Sequence, residues 1–253
     1  MQILHWNIQH GGGPKRTPEI ALAILDLRPD IVVITEFRRT TGGQLAGVLH
    51  DHGLRHQLCT DPPPRTNGIL IAARTPLARA SSPRDPDLAQ RSLDAHLPQL
   101  DTHLTAVHLP DAARSDHHAT ARKANHWQAL LRLARARASA RHVLVGDFNT
   151  GRHRLDEDAS TFTCTPLLGK LTTLGYADAY RALDPAGADR SWFSHSGHGF
   201  RLDHAFVSPA LRPAIRAAEY LQAPRKKGFS DHAPMRLTLD PAALAAPARP
   251  RSA

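Results

Sequence analysis

The 253-residue sequence lacks the features of a membrane-inserted chain and of a chain with several domains. No apolar run approaches the roughly 20 residues that a membrane-spanning helix needs, so we expect no membrane insertion. The first residues carry neither a basic segment nor a long apolar one, which predicts no signal peptide. No Gly/Ser linker or internal repeat occurs. We expect one large domain over residues 1–240 and a flexible Ala/Pro/Arg-rich tail over residues 241–253.

Cysteine is also scarce, and the usual zinc-binding patterns are missing. Cys59 and Cys164 are far apart in the sequence, which favours two reduced thiols in a cytoplasmic protein over a disulfide. Neither HExxH nor CxxC occurs, so the sequence offers no zinc site of these types. Nothing in the sequence indicates a protein partner, and we expect a monomer.

Negative charge is in the minority. The formal net charge is +9 at pH 7 and the pI is about 10.3, values that predict attraction to polyanions such as nucleic acid. A compositional bias toward Arg and Ala, without meaning for partners, explains the same values. Arg122, Arg132 and Arg137 lie along one basic helix, and we expect them to face solvent or a phosphate-bearing partner.

The apolar runs and the turn residues between them predict an α/β fold with many strands and few intervening helices. Thr17 as N-cap and Pro18 at the first helical position predict a helix that ends at Pro29. Residues 81–93 carry turn residues and little periodicity. Further helices are expected over 44–52, around Trp127 and over 165–175, and strands over 2–8, 31–34, 68–72, 100–109, 200–207 and 235–239.

The strongest local signal is Gly146-Asp147-Phe148-Asn149, which follows the apolar run 143–145. Side chains alternate along a strand, so Asp147 and Asn149 are expected to point the same way. A carboxylate beside an amide suits a hard metal ion and a phosphate. Asp and Asn are also ordinary turn residues at strand ends, so the motif alone is weak evidence.

Polar groups end other apolar runs as well. Asn7 ends the first strand, either as a turn-forming amide or as a group that touches metal or phosphate. Glu36 follows a buried strand, where a carboxylate must be solvated or paired. It therefore either forms a salt bridge with Arg38 or Arg39 or binds a metal. His108, near another strand end, has a structural role or serves as an acid/base group.

Two segments near the C-terminus add an imidazole and two carboxylates. Asp231 and His232 are adjacent, so one loop can serve both a metal and a proton transfer, unless the pair only caps a turn. Asp203 lies beside an apolar strand. It either orients His232 or forms a structural ion pair with Arg201.

Together these segments resemble the endonuclease/exonuclease/phosphatase family, which includes exonuclease III-like repair nucleases, DNase I-like nucleases and sphingomyelinase-type phosphodiesterases. No single segment is specific, but six in the family's order are strong evidence. The resemblance implies a four-layer α/β sandwich with two central mixed β-sheets flanked by helices. The six segments are His5-Trp6-Asn7-Ile8, Ile34-Thr35-Glu36-Phe37, Val107-His108-Leu109, Gly146-Asp147-Phe148-Asn149, Arg201-Leu202-Asp203-His204 and Ser230-Asp231-His232.

The resemblance also implies a divalent-metal site at the strand ends. Glu36 would be the main metal ligand, Asn7 would help to bind metal or phosphate, and Asp231 would lie in the loop nearest the metal. Carboxylate and amide oxygens suit Mg²⁺ or Mn²⁺.

The catalytic roles follow from the same resemblance. Asp147 and Asn149 would position the nucleophilic water and the phosphate. His232 would contact the phosphoryl group or activate water, with Asp203 orienting its imidazole. His108 would act as a general acid opposite His232.

Some departures from the family pattern bear on the subfamily. Abasic-site nucleases usually carry a tyrosine-proline-asparagine type segment where this chain has His108-Leu109-Pro110, and Asp or Asn in place of Gln9. The histidine looks more like that of DNase I-like and phosphodiesterase members, in which it can protonate the leaving oxygen. Ser191-Trp192-Phe193 is similar to the exonuclease III-like arrangement. Trp192 therefore either stacks on a base or an abasic sugar or belongs to the core.

The leading hypothesis is a metal-dependent phosphodiester hydrolase, a nuclease acting on nucleic acid. Lys226 and Lys227 precede the Ser230-Asp231-His232 segment and would bring positive charge beside the metal site. One alternative is a phosphatase or phosphodiesterase of a small molecule or a phospholipid headgroup, because one fold hosts many functions. A non-catalytic nucleic-acid-binding protein is another alternative, against which the intact acidic residues argue.

Overall fold

The computed structural model describes residues 1–80 and 90–245, and within these ranges strands outnumber helices. The helices are α1 (Gly13–Asp26), α2 (Arg39–Asp51), α3 (His117–Arg137), α4 (Thr165–Thr173), α5 (Ala179–Leu183), α6 (Gln222–Lys226) and α7 (Pro241–Ala245). The strands are β1 (Gln2–Asn7), β2 (Ile31–Phe37), β3 (His56–Cys59), β4 (Gly68–Ala73), β5 (Ala78–Arg79), β6 (Ser92–Leu97), β7 (Thr102–His108), β8 (Arg141–Asp147), β9 (Ala177–Asp178), β10 (Trp192–Phe193), β11 (Gly199–Phe200), β12 (Asp203–Val207), β13 (Ile215–Tyr220) and β14 (Met235–Leu239).

Two six-stranded mixed sheets form the centre of the molecule. The first sheet has the order β13-β14-β1-β2-β4-β3 and the second has the order β5-β6-β7-β8-β12-β9. Each sheet holds one parallel pair, β1 with β2 and β7 with β8, and its other pairs are antiparallel. Helix α1 joins the first parallel pair and α3 joins the second, as parallel connections require.

Alternating side chains give each sheet two apolar faces. On β1, Ile3 packs into the cluster between the two sheets, whereas Leu4 packs into the cluster under α1 and α2. On the second sheet, Val145 faces the first sheet and Leu144 faces α3 and α4. The layers therefore run helices, sheet, sheet, helices, which confirms the predicted four-layer sandwich.

The first helix begins four residues before the predicted N-cap, Thr17. Gly11, Gly12 and Gly13 have φ between 71° and 81°, a conformation that glycine adopts without strain. This turn leads directly into α1, so Pro14 rather than Pro18 occupies the first helical turn. Thr17 lies inside the helix, and its hydroxyl donates to the Gly13 carbonyl.

Other elements also differ from the predictions. Strands β3 and β6 were not predicted, because polar residues break their apolar pattern. The predicted strand over 200–207 is divided into β11 and β12. Of the predicted turn-rich segment 81–93, residues 81–89 lie outside the described residues, and β6 begins at Ser92.

The end of the chain was predicted to be a flexible tail from residue 241. Helix α7 occupies the first five of these residues, and its Leu244 is buried against the core between the sheets. The Leu244 carbonyl also accepts a hydrogen bond from Arg141. Residues 246–253 lie outside the described residues, so the domain boundary at residue 240 stays a prediction.

Two further predictions concern membranes and thiols. No helix within residues 1–80 and 90–245 has the length and apolarity needed to cross a bilayer. Cys59 and Cys164 are free cysteines, as predicted. The cytoplasmic location and the monomeric state stay predictions.

Candidate active site

The polar residues predicted at the strand ends meet between the two sheets. On β8 the alternation that turns Val143 and Val145 toward the first sheet also turns Asp147 that way. His108 and Asp203 are the register partners of Asp147 on the two neighbouring strands. The carboxyl ends of both parallel strand pairs therefore lie at one edge of the sandwich, where the sheets present opposed polar side chains.

Asn7 joins the carboxylates of the two sheets. Its Nδ2 donates to Glu36 Oε1 at 3.1 Å and to Asp147 Oδ2 at 3.0 Å, and its Oδ1 accepts from the Gln9 backbone N–H at 3.0 Å. His108 Nε2 lies 3.9 Å from each of the same two carboxylate oxygens. Asn7, Glu36, Asp147 and His108 thus surround one small space.

Glu36 lies at an irregular point of strand β2. Its φ is +58°, and the pairing between β2 and β4 shifts register at this residue. Its Oε2 accepts from the His10 backbone N–H at 2.7 Å and from Asn67 Nδ2 at 2.8 Å. Burial opposes ionisation, but nearby His108 and these hydrogen bonds together lower the pKa of Glu36 below its ordinary value.

Glu36 does not form the salt bridge with Arg38 or Arg39 that was the alternative interpretation, although its Oε2 lies 2.8 Å from Nδ1 of the exposed His10. Arg38 Nε donates to Asn67 Oδ1 at 2.8 Å, and Arg39 pairs with Asp61. The Glu36 side chain keeps 15% of its surface exposed, so its carboxylate is open to a ligand from the cleft.

Asp203 and His232 form a buried pair. His232 Nδ1 lies 2.8 Å from Asp203 Oδ2. Burial disfavours the imidazolium, but the Asp203 charge and its hydrogen bond raise the pKa of His232 to about 10. Burial likewise opposes the carboxylate, yet His232 lowers the pKa of Asp203 to about 2. His232 is therefore a cation at neutral pH and Asp203 an anion.

Arg201 does not pair with Asp203, which was the structural alternative. Its fully buried guanidinium binds Asp156 Oδ1 through Nε and Asp178 through both terminal nitrogens. Tyr220 donates to the Asp203 backbone carbonyl at 2.6 Å. This buried network holds the first residues of β12 in place. The Asp203 carboxylate is therefore available to His232.

The segment 230–232 is anchored to β1 rather than held as a free turn. Ser230 Oγ donates to the Asn7 carbonyl at 2.6 Å, and Trp6 Nε1 donates to the His232 carbonyl at 2.9 Å. Asp231 Oδ2 accepts from Trp192 Nε1 at 3.0 Å. Trp192 is half-buried beside this loop, so it is neither a core residue nor a freely exposed one.

The Asp147 carboxyl also has a strongly shifted pKa. Burial, and next the negative charge of Asp203, raise the pKa of Asp147 to about 7, although His232 and hydrogen bonds act in the opposite direction. The Asn149 backbone N–H donates to Asp147 Oδ1 at 2.9 Å. Gly146 is needed beside it, because a Cβ there would lie 1.9 Å from the Val107 carbonyl oxygen of β7.

The two active-site histidines differ in ionisation. Burial lowers the pKa of His108 to about 4; the charge of Glu36 acts against this and that of Arg91 adds to it. With these pKa values, His108 is neutral and His232 is protonated at neutral pH. These two pKa values favour His232 as the histidine that carries a proton at neutral pH, whereas the sequence predicted His108 as the general acid.

A leaving-group comparison tests the role predicted for His108. If His108 protonates the leaving oxygen, His108→Ala should slow cleavage of a natural phosphodiester by at least ~100-fold. Cleavage of bis-p-nitrophenyl phosphate should suffer less, because p-nitrophenolate leaves without a proton. Rates on both substrates give the answer, with His232→Ala as the comparison. Equal losses on the two substrates would instead assign His108 to phosphate binding.

The oxygen-rich site fits a hard divalent cation. Asp147, Asp203 and His232 each offer one ligand atom, and these atoms lie within 4.8 Å of one another. One oxygen of Asp203 is taken by His232, whereas Glu36 and Asp147 both accept from the Asn7 amide. Two carboxylates bridged by a neutral amide, one of them with a raised pKa, form an environment that a cation stabilises.

Several contributors were missed in the sequence. Asn67 and His10 hold Glu36, and both come from loops at the same edge of the first sheet. Arg91 interacts electrostatically with Glu36 and Asp147, and burial lowers its pKa. Lys123 of α3 is almost fully buried and donates to the Asn149 carbonyl. No sequence signal pointed to Asn67, because its contact with Glu36 depends on how β2 pairs with β4.

The two predicted lysines lie outside the polar centre. Lys226 ends α6 and Lys227 follows it, and both are exposed. The Lys227 ammonium lies 5.9 Å from the centre of the Phe229 ring. They precede the anchored segment 230–232, and neither lysine is among the hydrogen-bond partners of its side chains.

Comparisons with known proteins agree with this architecture. Three similar solved structures each cover 95% of this chain. A 3′ phosphatase, NExo, from Neisseria, bound to a product DNA hairpin, has 24% identity and a TM-score of 0.79 over 99% of its own chain. The 3′-5′ exonuclease NExo from Neisseria meningitidis has 25% identity and a TM-score of 0.79 over 100% of its chain. An AP endonuclease from Archaeoglobus fulgidus has 18% identity and a TM-score of 0.81 over 99% of its chain.

Sequence comparison with curated proteins finds no significant match. The sequence profile of the Endonuclease/Exonuclease/phosphatase family, by contrast, matches residues 4–232. That range contains Asn7, Glu36, Asp147, Asp203 and His232, the residues that meet at the edge of the two sheets. The chain therefore belongs to the endonuclease/exonuclease/phosphatase family.

Proposed function

We propose that this chain is a divalent-metal-dependent phosphodiesterase that hydrolyses nucleic acid. The observation that carries the proposal is the convergence of Glu36, Asp147 and the Asp203–His232 pair at one edge of the sandwich. Such a set supplies an anionic cation site, a carboxylate that titrates near neutrality and a positively charged imidazole. The similar structures of a DNA-bound 3′ phosphatase, an exonuclease and an AP endonuclease support the same chemistry.

The metal would be Mg²⁺ or Mn²⁺, with Glu36 as its main ligand. Asn7 can join Glu36 only if its amide turns, because its Oδ1 now accepts from Gln9 and its Nδ2 faces the carboxylates. Asp231, now bonded to Trp192, is the third proposed ligand. When bound, the cation polarises the phosphoryl oxygens and stabilises the charge that develops on them.

The protein groups then divide the remaining work. Asp147 accepts the proton of the attacking water, for which a pKa of about 7 is well placed. Asn149, tied to Asp147 through its backbone N–H, helps to position the phosphate. The His232 cation binds a non-bridging phosphoryl oxygen, and Asp203 holds the ring in place.

The choice of nucleic acid as substrate rests on surface groups around this centre. Lys226, Lys227 and Arg122 are exposed, and half-buried Trp192 offers a ring for stacking beside Asp231. Arg137 does not belong to this basic surface. Its guanidinium pairs with the buried Asp94 instead of facing a partner, so the prediction for that residue was wrong.

A phosphatase or phosphodiesterase of small or lipid substrates is the alternative. Lipid docking requires exposed apolar surface, and only Leu22 and Leu183 are exposed large hydrophobic residues within the described part of the chain. A non-catalytic nucleic-acid-binding protein would not need a buried Asp203–His232 pair or an Asp147 with a raised pKa.

Salt-dependent binding tests the substrate class. Catalytically inactive Asp147→Asn protein should bind labelled duplex DNA with log K falling by roughly 0.9 per neutralised phosphate for each tenfold rise in salt. Adding Lys226→Ala and Lys227→Ala should flatten the slope by up to ~1.8, since two phosphate contacts disappear. Fluorescence anisotropy across a salt series measures both slopes.

A matched variant controls for net charge. Arg212→Ala with Arg216→Ala removes two positive charges from the opposite end of the first sheet, where Ile215 pairs with Leu239. That variant should keep the original slope. No binding at low salt, together with efficient wild-type hydrolysis of a small or lipid phosphodiester, would favour the alternative substrate class.

A further inference from the structure

A fully buried histidine lies behind the Asp203–His232 pair. His5 precedes Asn7 by two residues on β1, so both side chains point into the space between the sheets. The His5 and Asp203 side chains have 0% and 1% of their surface exposed. A buried imidazole next to the carboxylate that orients His232 can affect that orientation as well as the packing.

The two unsatisfied atoms of His5 and Asp203 face each other. His5 Nδ1 lies 3.4 Å from Asp203 Oδ1, and neither atom has a hydrogen-bond partner within the described ranges. The other Asp203 oxygen, Oδ2, is taken by His232. An approach of roughly 0.4 Å would bring the Nδ1–Oδ1 distance to an ordinary hydrogen-bond length.

Thr35 determines which nitrogen of His5 donates and which accepts. Its Oγ1 lies 3.1 Å from His5 Nε2, on the neighbouring parallel strand. A hydroxyl can donate or accept, whereas a carboxylate can only accept. His5 is therefore satisfied on both sides when Nδ1 carries a hydrogen toward Asp203 and Nε2 accepts from Thr35.

This arrangement links the sheets through the carboxylate. His5 belongs to the first sheet and Asp203 to the second, while His232 is anchored to β1 through Trp6. Once the His5 hydrogen bond forms, a donor on each oxygen would prevent the Asp203 carboxylate from rotating. Because His232 takes its ring orientation from Asp203 Oδ2, fixing the carboxylate also fixes the imidazole.

We propose that His5 is a positioning residue that acts through Asp203 to hold the His232 imidazole in its working orientation. The inference rests on the proposed function for its effect on turnover. Its structural part, the hydrogen bond from His5 Nδ1 to Asp203, is testable without any substrate.

Two substitutions separate positioning from packing. Asparagine places an amide N–H where imidazole carries Nδ1, whereas leucine has similar bulk and no donor. His5→Leu should lower kcat by about 10- to 100-fold with little change in KM, the size seen for partners that orient reacting groups. His5→Asn should keep most of the wild-type kcat, although a small buried amide should lower its Tm more than leucine does.

A second buried histidine provides the control. His142 is fully buried on β8, bonded to Thr105 and Tyr176, and lies at the end of the strand remote from Asp147. His142→Leu should lower Tm without changing kcat. If kcat instead follows Tm through all three variants, His5 only packs and the proposal is wrong.

Imidazole ¹⁵N NMR of the metal-free protein gives a readout independent of activity. We expect His5 with a protonated Nδ1 and an accepting Nε2, and a downfield His232 Nδ1 proton that is retained in His5→Asn and lost in His5→Leu. A wild-type His5 protonated only at Nε2 overturns the proposal, even if a variant fails to fold. If these signals behave as expected while the wild type hydrolyses no phosphodiester, the proposed function fails and the positioning role stands.

Discussion

Asp147→Asn is expected to lower kcat by at least ~100-fold while the fold stays intact, because a positioned base contributes that much to proton transfer. The asparagine keeps the shape of the side chain and can still accept from the Asn149 N–H. It cannot take a proton from water. Burial and the charge of Asp203 raise the pKa of Asp147 to about 7, so the wild-type residue is suited to that transfer near neutral pH.

Steady-state kinetics on a nucleic acid substrate measure this effect, and a circular dichroism melt checks folding. Asp101→Asn is the matched control, since Asp101 is an exposed acid at the turn before β7, away from the strand ends that form the site. Near-normal turnover in a well-folded Asp147→Asn variant would rule out the role given to Asp147.

Glu36→Gln is expected to shift the midpoint of Mg²⁺ or Mn²⁺ activation upward by at least ~10-fold, because hard cations depend on charged oxygen ligands. The backbone should tolerate the change, since the side chain lies at a strand end and not in the apolar core. Activation curves measure the shift, and calorimetric titration with Mn²⁺ measures binding without substrate.

Glu219→Gln controls for the loss of one negative charge. Glu219 pairs with Arg236 on the surface of β13, so its substitution should leave the metal response unchanged. If Glu36→Gln showed full activity and an unaltered activation curve, Glu36 would not be the principal metal ligand.

Much of the architecture could be predicted because apolar alternation is a strong signal. The same parity that buries Val143 and Val145 delivers Asp147 to the space between the sheets. Elements with a weak apolar pattern could not be predicted. Strand β6, Ser92–Leu97, contains an aspartate and a histidine, and α1 starts at a glycine turn that propensity rules place in a loop.

The site was predictable where its residues lie in motifs beside apolar strands, and unpredictable where other loops contact them. Asn7, Glu36 and Asp147 come together because the carboxyl ends of parallel strands share an edge. Asp203 begins the antiparallel β12 and His232 lies in the loop before β14, and both meet the others at that edge. The positive φ of Glu36 and its contact with Asn67 depend on how β2 and β4 pair, which one sequence does not reveal. The ion pair of Arg201 with Asp203, the alternative that their short separation suggested, does not form, because Arg201 binds Asp156 and Asp178.

The layout also explains why the catalytic groups need both sheets. Glu36 belongs to the first sheet and Asp147 to the second, and the Asn7 amide spans the gap between their carboxylates. The Asp203–His232 pair spans the same gap a second time. Any change in the packing of one sheet on the other would therefore alter distances within the site before it unfolds the protein.

The most direct test of the central claim is hydrolysis of a substrate panel by the wild-type protein. The panel contains duplex DNA, single-stranded DNA, abasic DNA, RNA and bis-p-nitrophenyl phosphate, each with Mg²⁺, Mn²⁺ or EDTA. A metal-dependent nuclease should cleave at least one nucleic acid faster than the small diester, lose this activity in EDTA and regain it when Mg²⁺ or Mn²⁺ is added. Cleavage that persists in EDTA, or failure to cleave any nucleic acid with either metal, would rule out this function.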